Sequence, residues 1–328
     1  MAALTASSLT LIELMKRLKP DGTLDTIVEM MSQDQEILED MPWVEANATT
    51  GHRTTIRTGL PAGAWRKLNA GVPAERSETA SITESIGMLE TYLEVDKKLA
   101  SLSGNTNEFR MQEARAAIEG MSQTLATTLF AGDTDTDPEK FLGLQARYDD
   151  PSAGNGENII LGGGAGSDNS SIWLINWRPD KIHGIYSKGS AIGLQHEDLG
   201  EERLQDSSNN FYQGLVSHLS MDIGLCVRDW RYAVRICNVD DSLLTKDASA
   251  GADIIDLMIQ ATEQIKDLNG SPRFYCSQNV RSFLRRQINN ATNVNLTQEN
   301  FAGKRTVLFD SIPVRRTSAI VPTEATIS

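Results

Sequence analysis

The chain has 328 residues, of which 40% are hydrophobic and 23% charged, and its formal net charge at pH 7 is −13. The length favours about two domains, and the composition allows a globular core. The negative charge disfavours tight nucleic-acid binding, which depends on Lys and Arg displacing counterions from phosphates. The sequence also lacks the ~20 consecutive apolar residues that a membrane span requires, so we expect no membrane association.

The N-terminal segment is predicted to contain an acidic helix. Thr23 fits the N-cap of a helix that runs to about Met41, and Pro42 then ends it. Apolar residues recur at helical spacing inside it: Leu24, Ile27, Val28, Met31 and Leu38. Residues 1–51 contain nine acidic and three basic side chains, which gives this segment a net charge of −6.

The next segment reverses this charge. Residues 53–76 contain five basic residues and one acidic residue, so their net charge is +4. Alternation along a strand that begins at Arg53 places Arg53 and Arg57 on one face and Ile56 on the other. Glycine and proline end this strand, and a return strand is predicted over 78–86. Because a lone hairpin is marginal in water, we expect this one to become ordered against another surface.

This hairpin contains the candidate functional residues. Six positions are predicted to make inter-subunit contacts: Arg53, Arg57, Trp65, Arg66, Lys67 and Arg76. Trp and Arg are enriched among the residues that dominate the binding energy of protein interfaces, and the acidic N-terminal segment of another copy would complement the basic charge. The alternatives are a solvated basic loop, and local packing of Trp65 on Pro61 and Leu68.

A strand and a long helix are predicted next. Residues 88–104 fit a strand whose inward side chains would be Leu89, Tyr92 and Val95. Asn105 and Glu108 then fit a capping box, and Gly132 fits the C-terminal end of the helix. The helix of about 26 residues would be about 40 Å long. Apolar residues recur along it at three- and four-residue steps: Met111, Ala114, Ile118, Met121, Leu125 and Leu129.

The remaining chain mixes both kinds of element. Strands are predicted at 171–177, at 182–187 as its partner, within 217–239, at 273–277, and within 306–320 with a break at Pro313. Helices are predicted over 254–268 and 279–288, and residues 196–210 are expected to be a polar, exposed stretch. Because the elements interleave without a regular β-α-β order, the fold class is predicted to be α+β.

Spacing motifs for catalysis or ligand binding are not found in the sequence. The glycines at 162–164 and 166 precede a strand, whereas a phosphate-binding loop precedes a helix, so a flexible connecting loop is favoured. No serine lies in a G-x-S-x-G motif. The histidines show no metal-binding spacing and the cysteines form no C-x-x-C pair: His52, His183, His196, His218, Cys226, Cys237 and Cys276. We therefore expect no catalytic residues, no cofactor and no metal, and three ordinary buried thiols.

Four stretches resemble a known family. They are ILEDMPWVEAN (37–47), GHRTTIRTGLP (51–61), MLETYLEVDKKLA (88–100) and VRDWRYAVRI (227–236). They are similar to the epsilon-fifteen-like group of podoviruses and prophages, within the tailed-phage major capsid proteins of the Hong Kong 97 type. The resemblance extends over nearly the whole chain. It implies five parts: an N-terminal arm at 1–45, an extended loop at 46–88, a peripheral domain at 89–157, an axial domain at 158–304, and C-terminal strands at 305–328 that return to the peripheral domain. The peripheral domain would contain a spine helix at 105–131. Residues 217–240 are left open between the axial and the peripheral domain.

The resemblance also implies a function. The family's proteins self-assemble as hexamers and pentamers into an icosahedral shell around packaged double-stranded DNA, and their extended loop lies across a neighbouring subunit. The implied location is the virion, after assembly in the bacterial host cytoplasm. The implied partners are scaffolding, portal and cement or decoration proteins, while the DNA is enclosed without specific binding. Some relatives form lysine–asparagine cross-links; Lys67 lies in the extended loop, but the sequence identifies no matching asparagine, so no cross-link is inferred.

Two alternatives remain at this point. An encapsulin-like shell of a cellular compartment would have the same fold, and a glycine-loop nucleotide-binding enzyme would use residues 161–171. Genes for cargo enzymes nearby would favour the compartment shell, whereas genes for DNA packaging would favour the phage capsid. Titration with nucleotides would test the enzyme alternative.

Overall fold

The computed structural model describes residues 35–102, 104–190, 192–206, 208–245, 251–287, 296–301 and 304–328. Most of the helix predicted from Thr23 lies outside these residues, and its last turn is present at Glu36–Asp40. The chain divides into two compact units. The first includes Met88–Ala126 and Ala191–Asp222, and the second contains Gln35–Gly87, Thr127–Ser190 and Ile223–Ser328. The α+β class predicted from the sequence is confirmed.

Five α-helices and fourteen strands are present in the described part of the chain, besides short 3-10 turns. The helices are α1 (Glu36–Asp40), α2 (Lys97–Leu102), α3 (Thr106–Ala131), α4 (Ile254–Gln264) and α5 (Gln278–Gln287). The strands are β1 (Trp43–Glu45), β2 (Gly51–Gly59), β3 (Glu78–Ser85), β4 (Gly87–Asp96), β5 (Ile159–Leu161), β6 (Asn169–Trp177), β7 (Ile182–Tyr186), β8 (Gln195–Gln205), β9 (Phe211–Val227), β10 (Ala233–Asp240), β11 (Ser271–Cys276), β12 (Leu296–Phe301), β13 (Lys304–Phe309) and β14 (Ile312–Arg316). None of the described helices is both long and apolar enough to cross a membrane.

The first unit places α3 with a small sheet. Strand β9 pairs with both β4 and β8, and a small core forms from Val95, Leu99, Ala100, Phe109 and Leu215. The predicted cap of α3 is confirmed, because the Glu108 amide donates to Asn105 Oδ1 at 3.3 Å. Capping satisfies a backbone donor that the first turn would otherwise leave unpaired.

Two predictions in this unit are wrong. The strand predicted over 88–104 ends early, since the chain becomes helical at Lys97. Tyr92 is exposed because β4 alternates with a period of two, which puts Leu89 and Val95 inward and Tyr92 outward. The predicted long helix is confirmed as α3; of its apolar residues, Met121, Leu125 and Leu129 are buried, whereas Met111 and Ile118 are exposed.

Strand β8 is a further difference from the sequence prediction. Residues 196–206 and 208–210 are exposed as expected, except for the half-buried Gly200 and Leu204. However, Gln195–Gln205 pairs antiparallel with β9 from Gln195↔Ser220 to Gln205↔Phe211. Its side chains show no apolar alternation because almost every position faces solvent. The main-chain pairing with β9 therefore forms this strand without a buried face of its own.

The second unit is built on a seven-stranded sheet in the order β12-β13-β14-β11-β6-β10-β5. Every residue of the central strand β6 is buried, as expected for a strand covered on both faces. Helices α4 and α5 pack on one face, where Ile172 and Leu174 meet Met258 and Leu284. On the other face Trp173 contacts Tyr148 edge-on, with ring centroids 5.7 Å apart.

Two pairing predictions in this unit are wrong. Strand β7 was expected beside β6, but it pairs with β1 and β9. Pro313 was expected to break a strand, but it lies within β14 opposite Leu308. Pairing of β14 with β11 starts one residue later, at Val314, so the missing proline N–H removes no bond on that side. The chain reverses instead at Asp310 and Ser311, which have φ of 46° and 67°.

The glycine-rich stretch is packed onto β10. The amide of Gly162 donates to Cys237 O and that of Gly164 to Asn238 O, each at 2.8 Å. A Cβ on Gly164 would lie 2.6 Å from Asn238 O, so glycine permits the close backbone approach. The expectation of a flexible link is corrected, and β6 follows where a phosphate-binding loop would have a helix.

Candidate inter-subunit interface

Strands β2 and β3 form a two-stranded sheet of their own, which we call the arm together with their connection (residues 51–85). Pairing runs from Gly51↔Ser85 to Gly59↔Glu78. The predicted alternation is confirmed, since Arg53 and Arg57 are exposed while Thr54 is buried and Ile56 half-buried. The return strand ends at Ser85, one residue before the predicted end.

The base of the arm is fixed to the body by an ion pair. Arg147 donates from Nη1 to Glu84 Oε1 at 2.8 Å and from Nη2 to Glu84 Oε2 at 2.6 Å. Glu84 is buried. Arg147 Nη2 also donates to Leu142 O. On the other strand, the side-chain amide of Asn47 makes two hydrogen bonds to the backbone of Arg53. Asn47 Oδ1 accepts from the Arg53 N–H at 2.8 Å, and Asn47 Nδ2 donates to the Arg53 carbonyl at 2.6 Å. Such bidentate, charge-assisted contacts fix direction as well as position.

The connection between the two strands, residues 60–77, is here called the tip. Every residue from 60 to 79 is exposed. Local order comes from a few hydrogen bonds, including Gly63 N–H to Glu75 Oε2 at 3.0 Å and Ala70 N–H to Lys67 O at 3.2 Å. The tip therefore has a defined turn but no apolar core.

Four large apolar side chains of the tip are exposed, and three of them project almost fully into solvent while Val72 is 47% exposed. Trp65 is 104% exposed, Leu68 97% and Leu60 77%. Full exposure rules out, in this structure, the alternative in which Trp65 packs on Pro61 and Leu68. Burying the ~150–250 Å² surface of a tryptophan side chain would contribute several kcal/mol of free energy, and a tryptophan exposed to water does not gain it. Such a residue at the end of an anchored arm is typical of an interface that a second molecule completes.

The structure distributes the six candidate residues along the arm. Two of them lie on β2, where Arg53 Nε donates to Ser81 Oγ at 2.7 Å. Four lie in the tip, where Arg66 Nε donates to Ala70 O at 2.8 Å. Within the described part of the chain, Arg57, Lys67 and Arg76 form no ion pair. The six residues thus line an extended basic surface and do not converge on one pocket.

A cleft beside the start of the arm adds residues that sequence analysis missed. It encloses about 750 Å³, and Arg57 and Leu60 line it from the arm. Outside the arm, the cleft is lined by two segments, 180–181 and 228–231. Asp229 pairs with both Lys181 and Arg231, at 3.3 and 2.9 Å. Four basic and two acidic side chains line the cleft, and no sequence motif links segments so far apart.

Comparisons with known proteins identify the family of the chain. The family model described as major capsid protein GP7 matches residues 19–328. A solved structure of bacteriophage Epsilon15 is similar to the chain at 32% identity and a TM-score of 0.78, covering 100% of this chain and 99% of that one. A search of curated proteins gave no match.

One more distant structure shares the fold. The bacteriophage JBD30 capsid is similar with a TM-score of 0.52 at 11% identity, covering 95% of this chain and 99% of that one. An encapsulin complex from Synechococcus elongatus reaches a TM-score of only 0.44 at 10% identity, over 70% of this chain and 96% of that one. That likeness is too weak to favour a cellular compartment shell.

Proposed function

The chain belongs to the major capsid protein GP7 family, and we propose that its shell is held together by the arm of each copy lying across a neighbouring copy. The protein is an icosahedral shell protein of the Hong Kong 97 type with a structural role in the virion. The observation that supports the proposal is the contrast within the arm. Its base is fixed by buried charge-assisted hydrogen bonds, whereas its tip exposes Trp65, Leu68 and Leu60.

The energetics favour a second copy as the surface that covers the tip. Burying a large apolar side chain contributes about 1.5–3 kcal/mol, so the three most exposed apolar groups of the tip supply a modest contact per copy. A closed symmetric shell repeats that contact at each subunit, and several weak contacts on one subunit act together as multivalent binding. Because the base fixes the direction of the arm, less conformational entropy is lost on docking.

Charge supports the same arrangement. The arm segment 53–76 has a net charge of +4, and residues 1–51 have a net charge of −6. We propose that the basic arm of one copy meets this acidic segment of another. Exposed ion pairs contribute only about 0–1 kcal/mol each, so their main effect is to select partner and register. The net charge of −13 also limits nonspecific adhesion to enclosed DNA.

The proposal includes the finer features that the resemblance implies. Copies would form hexamers and pentamers around packaged double-stranded DNA, assembled in the bacterial cytoplasm with separate scaffolding, portal and cement proteins. The domain boundaries at 46–88, 89–157, 158–304 and 305–328 remain predictions. The six arm residues proposed to contact the neighbour are Arg53, Arg57, Trp65, Arg66, Lys67 and Arg76.

Replacing Trp65 by alanine is expected to weaken assembly without destabilising the chain. A truncated hot-spot residue costs about 2 kcal/mol or more per interface, which is roughly a 30-fold weaker contact. Light scattering would show a higher critical concentration for shell formation, while the Tm of the unassembled chain stays the same because Trp65 is fully exposed. Trp65→Phe should retain part of the affinity. A fall in the Tm of Trp65→Ala with unchanged assembly would contradict the proposal.

Replacing Glu84 by alanine is expected to loosen the base of the arm. Arg147 would then lie half-buried without its carboxylate, and losing one partner of such a pair costs about 2–3 kcal/mol here, somewhat less than for a fully buried pair. Urea unfolding of the unassembled chain would measure the loss. Glu78→Ala, on the exposed far end of the same strand, is the matched control and should change stability little. Equal effects of the two changes would show that the ion pair does not anchor the arm.

A further inference from the structure

Three potential ligand side chains meet where the arm joins the body. His183 on β7 and Cys226 on β9 are directly opposite each other in antiparallel register, and His52 is the second residue of β2. One ligand atom from each of the three residues lies within 4.8 Å of the other two. The two imidazole rings stand edge to face, with centroids 6.0 Å apart and an interplanar angle of 83°.

His183 gives an independent indication that a ligand belongs here. Its side chain is 0% exposed, yet neither Nδ1 nor Nε2 has a hydrogen-bond partner. A buried polar group without a partner costs about 1–3 kcal/mol, and such groups are rare in native proteins. The Nδ1 atom of His52 accepts from the backbone N–H of Asn47 at 3.2 Å, so the ring proton of neutral His52 lies on Nε2. Metal binding at either ring nitrogen therefore breaks this hydrogen bond, since binding at Nδ1 uses its lone pair and binding at Nε2 moves the proton to Nδ1.

We propose that His52, His183 and Cys226 bind a transition-metal cation, with Zn²⁺ as the natural occupant. Two imidazoles and one thiolate are the donor types that Zn²⁺ takes in tetrahedral sites, and a water or a donor from another copy would complete the shell. The donor set contains no carboxylate, which disfavours Mg²⁺ and Ca²⁺. Ligand atoms around tetrahedral zinc are about 3.3–3.6 Å apart for bonds of ~2.0–2.3 Å, so binding requires side-chain shifts on the order of 1 Å.

Metal binding at this site changes the protonation of one ligand. Zn²⁺ binds the neutral form of imidazole and the thiolate form of cysteine. The Cys226 thiol proton therefore passes to water as the S–Zn bond forms.

A metal at this point would act on the arm. It would join His52 on β2, His183 on β7 and Cys226 near the end of β9, which are all residues of the second unit, and would add a second fixing point to the Glu84–Arg147 pair. Because the ion binds only the folded arrangement of these strands, it would stabilise the base of the arm by mass action.

The test uses Co²⁺ as a spectroscopic probe for Zn²⁺ on the full-length chain after chelator dialysis. We expect one Co²⁺ per chain, a thiolate-to-cobalt charge-transfer band, and displacement of the band by Zn²⁺. Cys226→Ala should abolish the band. Cys237→Ala is the matched control, because Cys237 is equally buried but contacts Ile160 O at 3.6 Å in place of a histidine, and it should keep the band.

A second variant keeps the test decisive if Cys226→Ala does not fold. His52 is only half-buried, so His52→Gln should fold and weaken Zn²⁺ binding by about tenfold or more. Zn²⁺ should raise the Tm of the native chain and of Cys237→Ala but not that of His52→Gln. A native chain without stoichiometric Co²⁺ and without the thiolate band would overturn the proposal, and so would equal Zn²⁺ affinity in the native chain and His52→Gln.

Discussion

Replacing the tip, residues 60–77, by an Asn-Gly turn between Gly59 and Glu78 is expected to abolish shell assembly while the chain stays folded. Gly59 and Glu78 are already paired at the end of the hairpin, and Asn-Gly is a favoured two-residue connection for paired antiparallel strands. The variant therefore removes the exposed apolar and basic groups of the tip but keeps β2, β3 and the Glu84–Arg147 pair. Electron microscopy and sedimentation would show single copies or small oligomers in place of closed particles.

A second variant separates the chemistry of the tip from its length. Filling residues 60–77 with glycine and serine keeps the reach of the connection but removes Trp65, Leu68 and the basic side chains. We expect this variant to fail in assembly as well, with a Tm equal to that of the native unassembled chain, since residues 60–79 are all exposed. Closed particles from both variants, at native protein concentration, would refute the proposed role of the arm.

The arm could be predicted from sequence because its signals are local. Alternation of polar and apolar residues fixed the faces of β2 and β3, and the absence of enough apolar groups indicated a hairpin that lacks a core. The same reasoning misplaced Tyr92, where apolar residues at three-residue steps suggested an inward side chain in a strand whose true period is two. Helical spacing predicted α3 itself, but spacing alone does not determine burial, since Met111 and Ile118 are exposed on it.

Other features could not be predicted because they depend on tertiary pairing. Strand β8 has no buried face and forms through main-chain bonds to β9, so its sequence is that of a polar loop. His183 and Cys226 come together through the register of β7 with β9, and His52 joins them from the arm. Metal-binding motifs in a sequence depend on ligands that are close together along the chain, for example on one helix. Ligands that come from three separate strands form no such motif.

The C-terminal segment is fastened to the main sheet by a buried ion pair. Arg235 on β10 donates to Glu324 Oε2 at 2.8 Å, and both side chains are at most 6% exposed. Arg235 also donates to Tyr148 O at 2.7 Å, while Glu324 accepts from Ser171 and Gln145. Each nitrogen of the guanidinium has an acceptor, and these hydrogen bonds offset part of the desolvation penalty of the buried pair.

Replacing Glu324 by alanine is expected to lower the free energy of unfolding by about 3–5 kcal/mol, because Arg235 would remain buried without its counter-charge. Urea unfolding of the unassembled chain would measure this loss. Glu263→Ala is the matched control, since Glu263 is exposed on α4 and its loss should cost little.

The double variant Arg235→Met with Glu324→Leu tests the cause. It removes both charges and keeps apolar volume, so it should recover part of the stability that Glu324→Ala loses. If the double variant were less stable than Glu324→Ala, the hydrogen bonds of Arg235 to Tyr148 O and Ser171 would outweigh the unpaired charge. In that case Arg235 would hold the β10 side of the sheet mainly as a hydrogen-bond donor, and the contribution of Glu324 would be to orient the guanidinium.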